Sequence, residues 1–357
     1  MKRRHTLDTL LTDNSLEAVW FARPNAFSWL TGSDNVITVT DPVGVAAAGY
    51  DGDSMEIVTA NNEADRIREE LPETTVRSYE WHESTLAEAV AERSPTPAAA
   101  DFDVSGFDSI DISPYRQPLT DDDIEQYRAL GAETATVVEE VCRSLSTDTS
   151  ERTVTARLKR AFEERGITVP VALVGGAERV QRHRHFTPTD AAVGAYAIVT
   201  LCTVRAGLCI SITRTVAFDP PAWLSDRHHA AARVHATALA ATRDVGLRGG
   251  TASEVFGAIQ DAYAAVGYPD EWRLHHQGGA GGYATREWIA TPDSDAPVTL
   301  PMGYAWNPTV QGAKCEDTVI VTDDGFETLT RTGEWPTTST DAVGFDLSLP
   351  QHDVLVQ

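Results

Sequence analysis

The sequence predicts an α/β (α+β) protein of two domains, and three observations carry that prediction. The chain has 357 residues, more than a single hydrophobic core usually organises. Its first hundred residues alternate short apolar runs with helical stretches, the pattern of a small sheet with helices. From Thr120 onward the pattern changes to long amphipathic runs separated by strands. The expected division is 1–115 for the small α/β domain, 116–335 for the larger one and 336–357 for a C-terminal tail.

Taken in order, Ala18 to Ala22, Val43 to Tyr50 and Met55 to Ala60 read as strands, with helices over Glu63 to Leu71 and Leu86 to Glu92. Ser94 to Pro114, rich in Pro, Ser and Asp, reads as the connection outwards. The acidic cap at Thr120 to Asp123 opens a helix over Ile124 to Leu145, with carboxylates at the favourable end of the helix dipole. A second helix from Glu151 to Arg165 stops at Gly166. Strands are expected at 169–174, 195–203 and 207–217, then helices at 225–245 and 251–266, the latter opened by a capping box of Thr251 and Glu254. Further strands are expected at 283–289, 303–306 and 318–321. The two helix-pair-then-strand halves are compatible with an ancient duplication. Past Trp335, only Phe345 to Leu349 reads as an element.

Composition narrows the function. The formal net charge is −24, from 53 acidic against 29 basic residues, and the only lysines are Lys2, Lys159 and Lys314. Such a surface repels phosphate backbones and anionic lipid, which argues against nucleic acid and membranes as partners. It is the composition expected of a halophilic, acidic protein, whose self-repulsion concentrated salt screens over a few ångströms. Cys142, Cys202, Cys209 and Cys315 have no CxxC spacing, so reduced thiols are expected and zinc-finger readings fall away. No run of apolar residues reaches a membrane-spanning length, and no apolar run follows the basic start of the chain. A soluble, cytoplasmic protein is expected.

Three stretches of the second half are similar to the creatinase/prolidase family, which includes methionine and Xaa-Pro aminopeptidases. His185-Phe-Thr-Pro-Thr-Asp190 followed by Gly194 resembles the family's H-x-x-P-T-D segment. Gly207 to Thr215, GLCISITRT, resembles its G-Y-x-x-D-x-T-R-T hairpin. Gly303 to Pro308, with Lys314-Cys-Glu-Asp-Thr318 and Asp323-Asp-Gly325, resembles its closing G-M-x-x-x-E-P and E-D-T-x-x-V-x-x-D-G. The resemblance covers residues 120–332 and implies a pita-bread domain behind a creatinase-type N-terminal domain, and with it a homodimer paired through that N-terminal domain.

Carried over residue by residue, the resemblance implies a degenerate metal site. Thr200 and Ser211 stand where metal-binding members have two aspartates, and Asn307 stands where a carboxylate precedes the proline. Glu316 keeps the last ligand position, and either His275 or His276 takes the histidine position. Two divalent ions need several anionic ligands, which Thr, Ser and Asn do not supply. The implied activity is therefore a metal-independent hydrolase of a small carboxylate-bearing carbon–nitrogen substrate, as in creatinase, with no cofactor. The alternatives are a non-enzymatic small-molecule binding protein and a mononuclear-metal, Xaa-Pro peptidase-like hydrolase built on the histidines and Glu316.

In the creatinase-like reading His185 carries the proton. Its basic neighbours Arg182, His183 and Arg184 are expected to depress its pKa, with Arg184 otherwise solvated. His275, His276 and Glu316 complete the catalytic candidates. Adjacent histidines on a strand would face opposite ways, so one of the pair is expected to line the cavity. Arg286 is expected to grip the substrate carboxylate or to bridge Glu287, and Arg214 to contact substrate or to partner a buried carboxylate. Glu287 and Asn307 complete the substrate-binding set. Lys314 and Asp317 are read as structural, Tyr304 and Trp306 as core, and Cys202 as a remote candidate nucleophile.

Overall fold

The computed structural model of the chain describes residues 2–357. It divides into two compact units, Met1–Gln117 and Pro118–Gln357.

The first unit comprises α1 (Lys2–Asn14), β1 (Ala18–Phe21), α2 (Pro24–Thr31), β2 (Ala46–Tyr50), β3 (Met55–Ala60), α3 (Asn61–Glu70), β4 (Thr75–Tyr79), α4 (Leu86–Arg93), β5 (Ala98–Ala100) and β6 (Asp108–Ser109). Its sheet runs β4-β3-β2-β1-β5-β6. The β1–β2 and β2–β3 pairs are antiparallel and the other three pairs parallel. Strand β1 sits inside this order and all four of its residues are buried, as its unbroken apolar run Ala-Val-Trp-Phe requires. Helix α1 was not expected, because its composition is polar. Its signal is a narrow stripe, Leu7, Leu10 and Leu11, all buried, at the i, i+3, i+4 spacing of one helical face.

The second unit repeats a plan of two helices followed by a sheet. In its first half, α5 (Asp121–Arg143) and α6 (Glu151–Glu163) precede β7 (Thr168–Gly176), the short α7 (Ala177–Val180), β8 (Tyr196–Arg205) and β9 (Leu208–Ala217). In its second half, α8 (Leu224–Leu247) and α9 (Ala252–Ala265) precede β10 (Gly278–Gly281), β11 (Met302–Trp306), β12 (Thr309–Val310), β13 (Ala313–Lys314), β14 (Asp317–Val321) and β15 (Phe326–Thr328). The chain ends in β16 (Thr337–Asp341), β17 (Ser348–His352) and β18 (Leu355–Val356). The two four-stranded sheets are β18-β9-β8-β7 and β10-β11-β14-β15.

Local chemistry places these elements. Thr120 and Asp123 form a reciprocal capping box at the start of α5, and Thr251 and Glu254 do the same for α9, satisfying amides that a helix end leaves unpaired. The β8–β9 hairpin turns through Ala206 and Gly207, both at positive φ (49° and 78°), which matches the right-handed twist of the strands it joins. Every residue of β9 is buried. The Thr318 hydroxyl of β14 accepts from Ser211 N and donates to Ser211 O, both at 2.9 Å. This bridge ties the two sheets together and sets Ser211 beside the strand that follows Glu316.

Two stretches depart from expectation. The strand expected at 283–289 is irregular, and the regular strand is the glycine run of β10. Glu287 N donates to Ala280 O and Ala290 N to Gly278 O, so the stretch bonds back onto β10 at two points without a continuous ladder. Residues 336–357, expected as a tail, form the β16–β17 hairpin and a last strand pairing parallel to β9 at Leu355 and Val216. That ordering is bought by polar burial: Gln351 and His352 are buried, and both bond into the body of the unit.

Candidate active site

Two polar clusters meet in the second unit. The first is built from three imidazoles. His185 lies in the loop before β8, while His275 and His276 follow a short 3-10 turn, Glu271–Leu274, and precede β10. Their ring nitrogens lie within 4.8 Å of one another. His275 Nε2 stands 3.1 Å from His185 Nε2. The rings of His275 and His276 are 4.5 Å apart and those of His185 and His276 5.9 Å. The adjacent histidines therefore do not divide between opposite faces. They lie outside the strand, in a segment where the period of two does not apply.

The segment is held on both sides. Gln277 O accepts from Asn307 N at 3.0 Å, and Gln277 Oε1 accepts from the Tyr263 hydroxyl at 2.9 Å. Arg184 donates to Glu271 at 2.6 Å, with both side chains only 14% exposed, and so ties the His185 loop to the His275 turn. Arg184 is thus a tether and not a solvated neighbour. Burial and the Lys314 charge lower the His185 pKa, so the depressing charge comes from Lys314 and not from the basic residues beside it in sequence. Burial, then Lys314, pushes His275 down to about 2. Burial, then Arg286 and Lys314, pushes His276 to about 4.

The second cluster centres on Glu316, which is 3% exposed. Arg286 Nη2 donates to Glu316 Oε1 at 2.9 Å, and Arg286 Nη1 donates to Ser211 Oγ at 3.0 Å. Lys314 Nζ lies 3.0 Å from Glu316 Oε2, to which the Thr213 hydroxyl donates at 2.9 Å. Thr200 Oγ1 in turn meets Thr213 Oγ1 at 2.8 Å. Burial alone would raise the carboxyl pKa, but Lys314 and Arg286 overcome it and hold Glu316 below the usual carboxylate range. Two fixed cations facing one carboxylate leave this cluster with a net charge of about +1 by simple counting.

The remaining candidates fall elsewhere. Arg214 does not reach the site: it is 1% exposed and committed to Asp317, Thr330 O and His352, so its burial makes it a core ion pair. Glu287 accepts from Ala284 N at 3.1 Å, and the Arg286 guanidinium turns to Glu316. Asn307 is 3% exposed, and its Oδ1 has no hydrogen-bond partner among the described residues. Cys202 Sγ meets Ser211 Oγ at 3.3 Å, and burial raises its pKa, the opposite of what a nucleophilic thiol needs. Tyr304 and Trp306 are fully buried and stacked at 6.3 Å. Lys314, read from the sequence as structural, is a site residue. Lys314 stands two residues before Glu316 at the end of β13, and tertiary packing brings its Nζ to the Glu316 carboxylate.

Two helix-pair-and-sheet halves closing on a buried carboxylate and a histidine cluster define a pita-bread hydrolase-type domain. The sequence pattern of Metallopeptidase family M24 matches residues 125–323, and the chain belongs to that family. It is 22% identical over 369 aligned positions to the Xaa-Pro dipeptidase of Lactobacillus delbrueckii subsp. lactis, covering 92% of this chain and 96% of that protein. In fold it matches the prolidase from Pyrococcus horikoshii OT3, with a TM-score of 0.76 at 15% identity over 93% of this chain and 99% of that one. The Xaa-Pro dipeptidase from Bacillus anthracis also gives 0.76, at 16% identity over 100% and 99%. No helix among the described residues is long and apolar enough to cross a membrane.

The family match corrects one expectation. A chain that takes no cofactor, as expected from the lost carboxylates, is not what membership of a metallopeptidase family gives. Those positions do not fit a pair of ions. Thr200 and Thr213 bond each other, and the Arg286 guanidinium spans Ser211 and Glu316. Glu316, the one carboxylate kept, has both oxygens engaged by cations.

Proposed function

We propose that this chain hydrolyses a small carbon–nitrogen substrate that ends in a free carboxylate, of the Xaa-Pro dipeptide type for which its relatives are named. The observation that carries the reading is the buried Arg286–Glu316–Lys314 cluster beside three histidines. On a surface as acidic as this one, with a net charge of −24, a buried site with surplus positive charge favours an anionic ligand end. Arg286 is the better placed grip, because its planar fork matches a carboxylate, and Ser211 and Glu316 hold that fork in place. Lys314 adds a point charge on the same side. Glu316, kept ionised, orients both cations and accepts a hydrogen bond from the Thr213 hydroxyl. In this reading the scissile bond lies at the end of the site that faces the histidine cluster. His185 and His276 are exposed and His275 is buried. The carboxylate-bearing substrate expected from the sequence is retained in this reading; the metal-independent route is not.

The test compares Xaa-Pro dipeptides with the same compounds amidated at the C-terminus, using the full chain in high salt supplied with divalent metal. Turnover is expected for the free acids and is expected to be lost on amidation. Arg286→Ala is expected to raise KM by roughly 30-fold or more, the equivalent of about 2 kcal/mol for a lost charged contact. Equal turnover of acids and amides would remove the carboxylate from the account.

A further inference from the structure

The family's ion-pair position and the histidine cluster that adjoins it offer opposite chemistry in this chain. Around Ser211 and Glu316 the groups turned inward are donors: two guanidinium nitrogens, an ammonium and hydroxyls. Ammonium and guanidinium offer no lone pair. A divalent cation set there would face two positive charges against one carboxylate. The histidines instead bring three imidazole nitrogens within 4.8 Å of one another, from two chain segments tied together by the Arg184–Glu271 bridge.

The dimensions suit one small ion. Zinc–imidazole bonds of about 2.0–2.1 Å in a tetrahedron place neighbouring nitrogens roughly 3.3 Å apart. The His185–His275 edge is 3.1 Å, and no pair in the cluster exceeds 4.8 Å. His185 and His276 are exposed, so the longer edges can close by rotation of side chains that the core does not lock. We propose that this chain binds a single borderline-soft divalent cation, of the zinc or cobalt type, on His185, His275 and His276, in place of the family's carboxylate-bound pair. Three neutral nitrogens select against magnesium and calcium, which require oxygen ligands. They also leave a tetrahedral ion's fourth position open, as catalytic sites do. The inference deepens the reading above by adding a Lewis acid to the same site, and it rests on that reading only for the use of the ion. When bound, such an ion supplies polarisation of a substrate carbonyl.

The test is stoichiometry and spectrum, which need no turnover. The full chain, stripped with chelator and folded in high salt, is titrated with cobalt(II) and followed by elemental analysis and visible absorption. One ion per chain is expected, with the intense visible bands of a low-coordinate nitrogen site. His275→Ala and His276→Ala are each expected to weaken cobalt binding by more than about 100-fold, beyond the 10- to 100-fold that loss of an outer-shell partner costs. Because His276 is exposed, its variant serves if His275→Ala fails to fold, with circular dichroism as the check. Thr200→Ala is expected to bind cobalt as the parent does. Two ions per chain, no ion, or one ion that persists unchanged in both histidine variants overturns the proposal. A chain that binds no ion yet cleaves free-acid dipeptides overturns the ion site and leaves the proposed function standing. One ion on the histidines without any response to dipeptide carboxylates does the reverse.

Discussion

Asp317→Asn is expected to lower stability by about 3–5 kcal/mol, the cost of leaving one member of a buried ion pair without its partner. Arg214 is 1% exposed and Asp317 5%, and Arg214 Nη1 donates to Asp317 Oδ1 at 2.9 Å. The other carboxylate oxygen accepts from His352 Nδ1 at 2.7 Å, and the Thr330 hydroxyl donates to Oδ1 at 2.6 Å. His352 Nε2 lies 3.1 Å from Arg214, so the geometry fits an imidazole that donates to Asp317 and accepts from Arg214. Removing the charge of Asp317 leaves the guanidinium buried with Glu139 alone, whose Oε1 is 3.5 Å from Arg214 Nε. For a unit of this size the expected fall in Tm is on the order of 10 °C, read by calorimetry. A fall under about 1 kcal/mol would show that solvent reaches the pair.

The same carboxylate sets a pH dependence. Burial would raise its pKa, but Arg214 and His352 hold it well below the ordinary value of 3.8. A depressed folded-state pKa contributes stability that is complete above the unfolded value and is lost as pH falls from about 4 towards the folded value. Urea midpoints of the parent are therefore expected to drop as pH is lowered below about 4, and those of Asp317→Asn to drop less across that window.

What the sequence shows of this fold follows from which signals are local. The capping boxes at Thr120 and Thr251 and the fully apolar strand at Ala18 are short-range chemistry and can be read directly. Helix α1 hides behind a polar composition because three leucines suffice to dock it. The β16–β17 hairpin is hidden for another reason: its inward groups, Gln351 and His352, are polar and find partners more than a hundred residues away or on a distant strand. The motif positions Glu316, Arg286 and His185 could be picked out singly. Their arrangement could not, because Arg286 chooses between Glu287 next to it and Glu316 thirty residues on, and only tertiary packing decides. The expectation that His275 and His276 face opposite ways rests on a strand period, which does not hold in a segment that precedes the strand.

The glycines of β10 give a second large effect, measured against a control of opposite sign. Gly278 has φ +95°, and a Cβ there would fall well inside contact distance of the Ala305 carbonyl oxygen and 3.0 Å from Trp306 Cα. Both obstacles are backbone of the paired strand β11, which a side-chain rotation cannot relieve. Gly278→Ala therefore combines a strained backbone, about 1–3 kcal/mol, with overpacking of about 1–3 kcal/mol, for an expected loss of about 2–5 kcal/mol. Gly257 lies inside α9, and a Cβ there meets nothing within 4 Å. Gly257→Ala is expected to stabilise by about 0.5–1 kcal/mol, through the helix preference of alanine over glycine. Urea denaturation of the two variants at neutral pH and high salt checks both signs. Gly278 follows Gln277, whose carbonyl accepts from Asn307 N and whose side-chain amide donates to His275 O. Strand displacement at Gly278 is therefore expected to move His275 away from His185 and to weaken cobalt binding, while Gly257→Ala leaves it unchanged. Equal and small effects of the two substitutions on stability would mean that β10 is not held against β11 as the register of Gly278 with Trp306 places it.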